Sequence, residues 1–218
     1  MTKSYEVAGH KFNVTARDGH PIWNLMGQYA MFECALCPEP IFELEVAKFD
    51  DPVNPEVLYD QPTEPGETKI TIYRSGEQML VTSAPNSERP VCGWTLFNSD
   101  FTRSRLKIKG TASDAQFALN NALMLQYTFR TAGMGTLEMH ASVIRNGGKG
   151  YLFVAKSGTG KSTHSSLWLK HVPGSTLLND DNPVVRVFPD GSAKVYGSPW
   201  SGKTPCYKNS KSGSKPTE

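Results

Sequence analysis

A short run of glycine, lysine and hydroxyl residues carries the clearest chemical signal in the sequence. Residues 155–162 read Ala-Lys-Ser-Gly-Thr-Gly-Lys-Ser, which fits the template G-x-x-x-x-G-K-[ST] except that alanine replaces the first glycine. Several backbone N–H groups can face one anion only where the chain adopts dihedral angles that favour glycine, and Gly158 and Gly160 supply such positions. The pattern predicts a loop that cradles phosphate groups.

The side chains of this loop indicate separate roles around a phosphate chain. We expect Lys161 to reach the outer phosphates and the Ser162 hydroxyl to be placed for Mg²⁺. A helix from Lys161 to about Lys170 would direct its positive dipole end toward the charge. The sequence therefore predicts a nucleoside triphosphate site that is formed by Ser157, Gly158, Thr159, Gly160, Lys161, Ser162 and Thr163.

Two adjacent carboxylates follow the next apolar strand. Residues 175–181 read STLLNDD and end in Asp180 and Asp181. Carboxylates at a strand end can hold Mg²⁺ or accept a proton from an attacking hydroxyl. Taken alone, Asp-Asp-Asn-Pro would more often be a turn, but behind a phosphate loop the pair predicts a functional site. The sequence leaves open which aspartate is the base and which is the metal ligand.

The elements that must position these residues change in character near residue 110. Up to about Ile108, short segments alternate polar and apolar residues at period two, and turn-forming residues separate them. Residues 1–110 are therefore predicted to be a β-rich, antiparallel region. Four prolines among polar residues at 51–66 indicate an exposed loop or edge connection.

Residues 111–218 follow a different pattern and are predicted to form the second domain. A helical rhythm from Phe117 to Arg130 predicts a helix of about four turns, with Ser113 as N-cap and Gly133 as its stop. Residues 136–144, which include His140, read as one strand, and a tight turn leads to a second strand at 150–155. The expected fold class is α/β with α+β character.

Two further features of this half have alternative interpretations. His140 has apolar neighbours, so it is either a structural residue or part of the site. Residues 197–205 combine glycines, prolines and a lysine around an indole. They suit a substrate lid with Lys203 as its charged contact, or a surface loop that Trp200 anchors.

Composition excludes some classes of partner. The formal net charge is +2, from 23 basic and 21 acidic residues, so no overall field would attract nucleic acid. No segment resembles a secretory signal or approaches the ~18 apolar residues of a membrane span, and we expect a soluble cytoplasmic protein. The Cys34–Cys37 pair lacks a second pair at zinc-ligand spacing, which favours structural thiols. Whether copies of the chain form a homo-oligomer is left open.

Together the motifs resemble a known family. The segments MHASVI, GYLFVAKSGTGKSTHSSLWL, LLNDDNPVVRV and YGSPWSGKTPCYKN are similar to the catalytic domain of HPr kinase/phosphorylase and its phosphoenolpyruvate-carboxykinase-like relatives. The resemblance covers roughly residues 113–209. Its most specific elements are the Ser-Gly-Thr-Gly-Lys-Ser-Thr run and the order of histidine strand, loop and Asp-Asp strand.

The resemblance implies a phosphoenolpyruvate-carboxykinase-like, mixed-sheet P-loop domain that acts as an ATP-dependent serine kinase. In such an enzyme Mg²⁺ bridges the phosphates of ATP, and the terminal phosphoryl group moves to a hydroxyl of a protein or small molecule. By this resemblance Lys161 neutralises developing charge, and Ser162 with Asp180 supports the metal. Asp181 or its neighbour is the base, and His140 lines the site.

The chain also departs from the family pattern. Its first half does not resemble the N-terminal domain of full-length HPr kinases, and the family would continue beyond Asn209 where residues 210–218 read SKSGSKPTE. A C-terminally truncated domain is therefore expected. One alternative is a nucleotide-binding module without turnover. Another is a carboxykinase-like enzyme, which needs a carboxylate-binding arginine, and Arg186 is the nearest candidate.

Overall fold

The computed structural model describes residues 1–201, and this part of the chain is a strand-rich, mixed α/β protein. The predicted contact residue Lys203 lies outside the described residues. The strands are β1 (Thr2–Val7), β2 (His10–Thr15), β3 (Glu33–Cys34), β4 (Phe42–Val46), β5 (Glu56–Asp60), β6 (Lys69–Ser75), β7 (Gln78–Ala84), β8 (Gly93–Phe97), β9 (Arg103–Ile108), β10 (Thr136–Glu138), β11 (Ala141–Asn146), β12 (Lys149–Val154), β13 (Thr176–Asp181), β14 (Val184–Val187) and β15 (Ala193–Tyr196). The helices are α1 (Ala112–Thr131) and α2 (Lys161–His171), and short 3₁₀ turns cover Pro21–Leu25, Gly27–Phe32 and Ala132–Met134.

The chain divides into two compact units. The first unit comprises Met1–Tyr5, Lys11–Gly27 and Cys34–Arg130, and the second comprises Glu6–His10, Gln28–Glu33 and the chain from Thr131. Neither described helix combines the length and apolar character that a membrane span requires.

The large sheet has nine strands in the order β3-β1-β2-β4-β9-β8-β7-β6-β5. The prediction of an antiparallel region is wrong at its centre, because β4 pairs in parallel with both β2 and β9. Parallel neighbours need a long crossover, and residues 16–41 separate β2 from β4. Strands β5 to β9 do form the expected antiparallel meander.

The proline-rich segment 51–66 lies at the edge of this sheet, as predicted. Its middle forms the short strand β5, which pairs with β6 on one side only and is exposed along its whole length. Prolines flank β5 without entering it, since a proline inside would remove a ladder donor.

Helix α1 begins one residue after Thr111, so the prediction of Ser113 as N-cap is wrong. The Thr111 backbone N–H donates to the Asp114 carboxylate at 2.9 Å, and the Asp114 N–H donates to the Thr111 hydroxyl at 3.3 Å. This reciprocal pair is a capping box, in which the acidic side chain and the hydroxyl each satisfy a backbone donor. The helix spans 20 residues, longer than the four turns expected, and ends at Thr131, two residues before the predicted stop at Gly133; a 3₁₀ turn follows, and Gly135 at φ +66° ends that turn.

One face of α1 is buried and includes a polar contact. Leu119, Leu123 and Tyr127 are fully buried. Gln126 is buried beside them; its amide oxygen accepts from the Ser104 hydroxyl at 2.6 Å, and its amide nitrogen donates to the Phe101 carbonyl at 3.0 Å. These bonds fix the helix on the sheet, because an unpaired buried amide would be costly.

The second unit contains two three-stranded sheets, β12-β11-β13 and β10-β14-β15. The predicted hairpin at β11–β12 is confirmed, and β14 and β15 form a second antiparallel pair. The prediction that residues 136–144 form one strand is wrong. The chain leaves one sheet after β10 and enters the other at β11. His140 lies at this change of sheet and not within a strand.

The two capping assignments for α1 can be separated by substitution. Thr111→Ala should lower the free energy of unfolding by about 1 kcal/mol, because it removes the hydroxyl that accepts the Asp114 N–H. Ser113→Ala, the matched control, should change it by less than about 0.5 kcal/mol. Urea unfolding followed by circular dichroism measures both, and equal losses would contradict the Thr111 cap.

Candidate functional site

The predicted phosphate loop connects strand β12 to helix α2. Gly158 has φ +79° and Gly160 has φ +95°, so both glycines occupy the left-handed region that other residues enter at a cost. Ala155, which replaces the first glycine of the template, does not have a positive φ. The alanine therefore fits this backbone without strain.

Hydrogen bonds within the loop hold it in a tight turn. The Thr159 hydroxyl donates to the Lys156 carbonyl at 2.7 Å, and the Lys161 ammonium donates to the Ala155 carbonyl at 2.9 Å. Lys161 thus folds back over its own loop, where its charge lies beside the loop backbone.

Helix α2 begins at Lys161 with an uncapped N-terminus. Gly160 precedes the helix and supplies no side-chain cap, and the first turn contains no acidic residue. The N-terminus of α1, by contrast, is neutralised by Asp114. The first N–H groups of α2 and its positive dipole end are therefore available to an anion.

Side chains on the other turns of α2 attach it to the sheet. The Ser165 hydroxyl lies 2.6 Å from the Ser142 hydroxyl of β11, and both are buried. The Phe153 ring of β12 contacts His164 edge-on at 4.4 Å between centroids and also packs on Trp168. His164 is exposed, and these contacts give its ring a structural role.

The register of the sheet places the aspartates beside the loop. Ala141 of β11 pairs with Val154 on one side and with Asp181 on the other, and Ser142 pairs with Asp180. The last residue of β12 and the end of β13 are therefore level with each other. The Ser162 hydroxyl donates to the Asp180 carboxylate at 3.0 Å, which joins the first turn of α2 to β13.

Asp181 has a different environment from its neighbour. Its carboxylate lies 3.4 Å from Nε2 of His140, and both side chains are about half exposed. Burial raises the pKa of Asp181 above its ordinary value; the Asp180 charge also raises it, while His140 and Lys161 act in the opposite direction. Asp181 therefore takes up a proton more readily than an ordinary surface aspartate.

These groups converge on one cavity of about 410 Å³. Most of the residues predicted for the site line it: His140, Ser157, Gly158, Gly160, Lys161, Ser162, Thr163, Asp180 and Asp181, together with Ala141. A concave space with glycine backbone, one lysine, three hydroxyls and two carboxylates has the groups that bind a polyanion and a hard cation.

Trp200 does not line this cavity. It is buried, and its indole N–H donates to the Tyr29 hydroxyl at 3.0 Å. Its own carbonyl accepts from the Asn182 amide at 3.1 Å, while the buried Asn179 amide donates to the Ser198 hydroxyl at 3.2 Å. Neither asparagine was predicted to contribute, although both flank the aspartates within the single run Asn179-Asp-Asp-Asn182.

Arg186, the candidate for a carboxylate-binding arginine, is also absent from the residues that line the cavity. Its guanidinium donates to the Ala8 carbonyl at 2.7 Å and lies over the Phe188 ring. Burial and the nearby Arg186 charge lower the pKa of His10 to about 4, so His10 is neutral where it contacts Thr136. The contacts of Arg186 with Ala8 and Phe188 indicate a structural role for this side chain.

The described residues contain no cluster of three or more histidine, cysteine or acidic side chains that could enclose a metal ion. A cation held by Ser162 and Asp180 would take its remaining ligands from phosphate oxygens and water, which is the usual pattern for Mg²⁺.

No family model matches the chain, and no curated protein matches its sequence.

The environment of Asp181 predicts the direction in which its pKa moves. By carboxyl-detected NMR it should titrate above 3.8; His140→Ala should raise its pKa further by removing a cation, and Asp180→Asn should lower it by removing an anion. Asp190, whose pKa the Ser192 hydroxyl holds below the ordinary range, is the internal control and should not move. An Asp181 pKa below 3.8, or shifts of the opposite sign, would contradict the described environment.

Proposed function

We propose that this chain binds ATP with Mg²⁺ through residues 157–163 and transfers the terminal phosphoryl group to a hydroxyl of a protein or small molecule. The observation that supports the proposal most directly is that two contacting pairs of side chains line the same cavity. Ser162 contacts Asp180 and His140 contacts Asp181, and the glycine loop lines the same space. The resemblance to HPr kinase/phosphorylase and its phosphoenolpyruvate-carboxykinase-like P-loop fold predicts the same groups.

The loop has the chemistry to hold a triphosphate. A side chain at Gly158 would meet no atom within 4 Å, so the space beside this residue is open to an anion. The uncapped start of α2 adds N–H donors and a partial positive charge. Lys161 supplies a full charge, and it only has to leave two loop carbonyls to contact phosphate oxygens.

The donor set at the opposite side of the loop fits Mg²⁺. The Ser162 hydroxyl and the Asp180 carboxylate are hard oxygen ligands that already lie within one hydrogen bond of each other. When bound, the cation would neutralise charge on the phosphate oxygens.

Asp181 is the group that accepts the proton of the attacking hydroxyl. As the acceptor oxygen bonds to the terminal phosphorus, the bond from that phosphorus to the bridging oxygen breaks, and the hydroxyl proton moves to the Asp181 carboxylate. His140 lies 3.4 Å from this carboxylate and can orient it. Asp180, bonded to Ser162, is the metal ligand, so each of the two aspartates has one role.

A transfer assay with three variants tests the proposal. Purified chain, γ-labelled ATP, Mg²⁺ and a cell lysate as the source of acceptor should give labelled product. Asp181→Asn should bind ATP within about threefold of the unmodified chain yet transfer about 100-fold more slowly, because a positioned base contributes about that much. Lys161→Ala should lose both binding and transfer, whereas Lys170→Ala, a lysine at the far end of the same helix, should lose neither.

The outcomes separate the alternatives. ATP binding without any transfer would favour a nucleotide-binding module, and transfer unchanged in Asp181→Asn would remove the proposed base. If the unmodified chain fails to bind ATP in calorimetry, the whole proposal is wrong.

A further inference from the structure

A second cavity lies wholly within the first unit and shares no residue with the loop cavity. Its volume is about 800 Å³, against about 410 Å³ for the loop cavity. The 3₁₀ turn Pro21–Leu25, the ends of β4 and β9 and the start of α1 form its walls. A cavity of this size can enclose a small organic molecule.

Much of the cavity wall is apolar. Ile22 and Leu106 belong to this wall but are almost completely buried, with exposed fractions of 1% and 0%, and so offer little surface to a ligand. The other apolar lining residues are Pro21, Leu25, Val46, Ala47, Ile108, Ala112 and Ala115. This surface favours a ligand with an apolar body, because burial of that body removes it from water.

Cationic side chains also line the cavity. Arg17 and Lys48 are exposed, and neither forms an ion pair within residues 1–201. Lys107, by contrast, is already paired with Asp51 and lies over the Phe49 ring. Arg17 and Lys48 are therefore the two charges that remain available to an anion.

His20 adds a directional hydrogen-bond donor. Its Nδ1 accepts the Ile22 backbone N–H at 3.1 Å, so the proton of the neutral ring is on Nε2. Burial, and then the Arg17 charge, lower the pKa of His20, which favours that neutral form. His20 can thus donate one hydrogen bond to an acceptor in the cavity.

The start of α1 is not the source of this anion preference. The Asp114 carboxylate already occupies its first turn through bonds to the Thr111 N–H and hydroxyl. Glu45 also lines the cavity, and its charge disfavours a ligand with several negative groups. The charge pattern matches a single anionic head.

We propose that this cavity binds a small carboxylic acid with an apolar body, whose carboxylate contacts Arg17, Lys48 and His20 while the apolar part packs on Leu25, Val46 and Ile108. Arginine presents a planar pair of N–H donors that matches a carboxylate, and the lysine adds a second charge. This site is independent of the function proposed for the loop cavity.

Displacement of a fluorescent probe tests the site on the full chain. The probe is 8-anilinonaphthalene-1-sulfonate, an apolar monoanion, and the competitors are decanoate and decanol, which share a chain and differ in the carboxylate. One saturable probe site is expected, and decanoate should displace the probe at a concentration at least about tenfold lower than decanol.

Matched variants assign the probe to this cavity. Arg17→Gln with Lys48→Gln should weaken decanoate about tenfold and leave decanol unchanged, because only the charge contacts are lost. Arg145→Gln with Lys149→Gln removes the same charge from β11 and β12 and should have no effect. Ala115→Leu, which fills the cavity from α1, should weaken both competitors and the probe.

Three results would overturn the site. They are equal displacement by decanol and decanoate, an equal loss in both charge-removing pairs, and probe binding that Ala115→Leu leaves unchanged. Circular dichroism of each variant checks the fold. If Ala115→Leu does not fold, the double variant at the exposed residues Arg17 and Lys48 is sufficient to test the site.

Discussion

The pairing of one residue in the central strand of a small sheet positions the candidate site. Ala141 is the first residue of β11, and it pairs with the last residue of β12 on one side and the last residue of β13 on the other. The glycine loop leaves from the first of these strands, Asp180 and Asp181 end the second, and His140 immediately precedes Ala141. Successive side chains of a strand point to opposite faces of the sheet, so a slip of one residue between β11 and β13 would exchange the faces on which Asp180 and Asp181 lie.

Helix α2 depends on the same sheet and is otherwise weakly anchored. Of its residues only Ser165 is buried, and the hydrogen bond from Ser165 to Ser142 returns the helix to β11 one residue beyond Ala141. The contact between Ser162 and Asp180 then closes the connection from helix to β13. Loop, helix start and strand end are thus linked by short polar contacts, with three aromatic contacts on the β12 side. This arrangement leaves the loop backbone and the N-terminus of α2 open on the cavity side.

Local patterns in the sequence were sufficient for this part of the molecule. The glycines, the strand before them and the helix after them lie within twenty or so consecutive residues, so period and turn chemistry predict them together. The pairing of β4 with β2 and β9 was not predictable in this way, because it joins segments that lie far apart in the chain. The N-cap at Thr111 was predictable from the sequence, since Thr-x-x-Asp precedes the helical rhythm. Ser113 was predicted instead because it lies closer to the first apolar residue of the helix. The break between β10 and β11 at His140 was not predictable, because residues 136–144 alternate polar and apolar side chains as a single strand would.

The two cavities also differ in how far the sequence predicts them. The loop cavity is built mainly from three short segments that each carry a recognisable pattern. The larger cavity of the first unit combines residues from positions 17 to 115, none of which belongs to a binding or catalytic motif, and only the fold brings their charges and apolar surfaces together. A site of this second kind is accessible from geometry and charge alone.

The central claim is that the backbone of residues 157–163 receives the phosphates of ATP, and amide chemical shifts test it most directly. In ¹H–¹⁵N spectra of the labelled chain, Mg-ATP should move the amide signals of Gly158, Gly160 and Lys161 most, because their N–H groups would contact phosphate oxygens. AMP, which lacks the outer phosphates, should leave them in place. Shifts that AMP reproduces, or that fall outside this loop, would contradict the account.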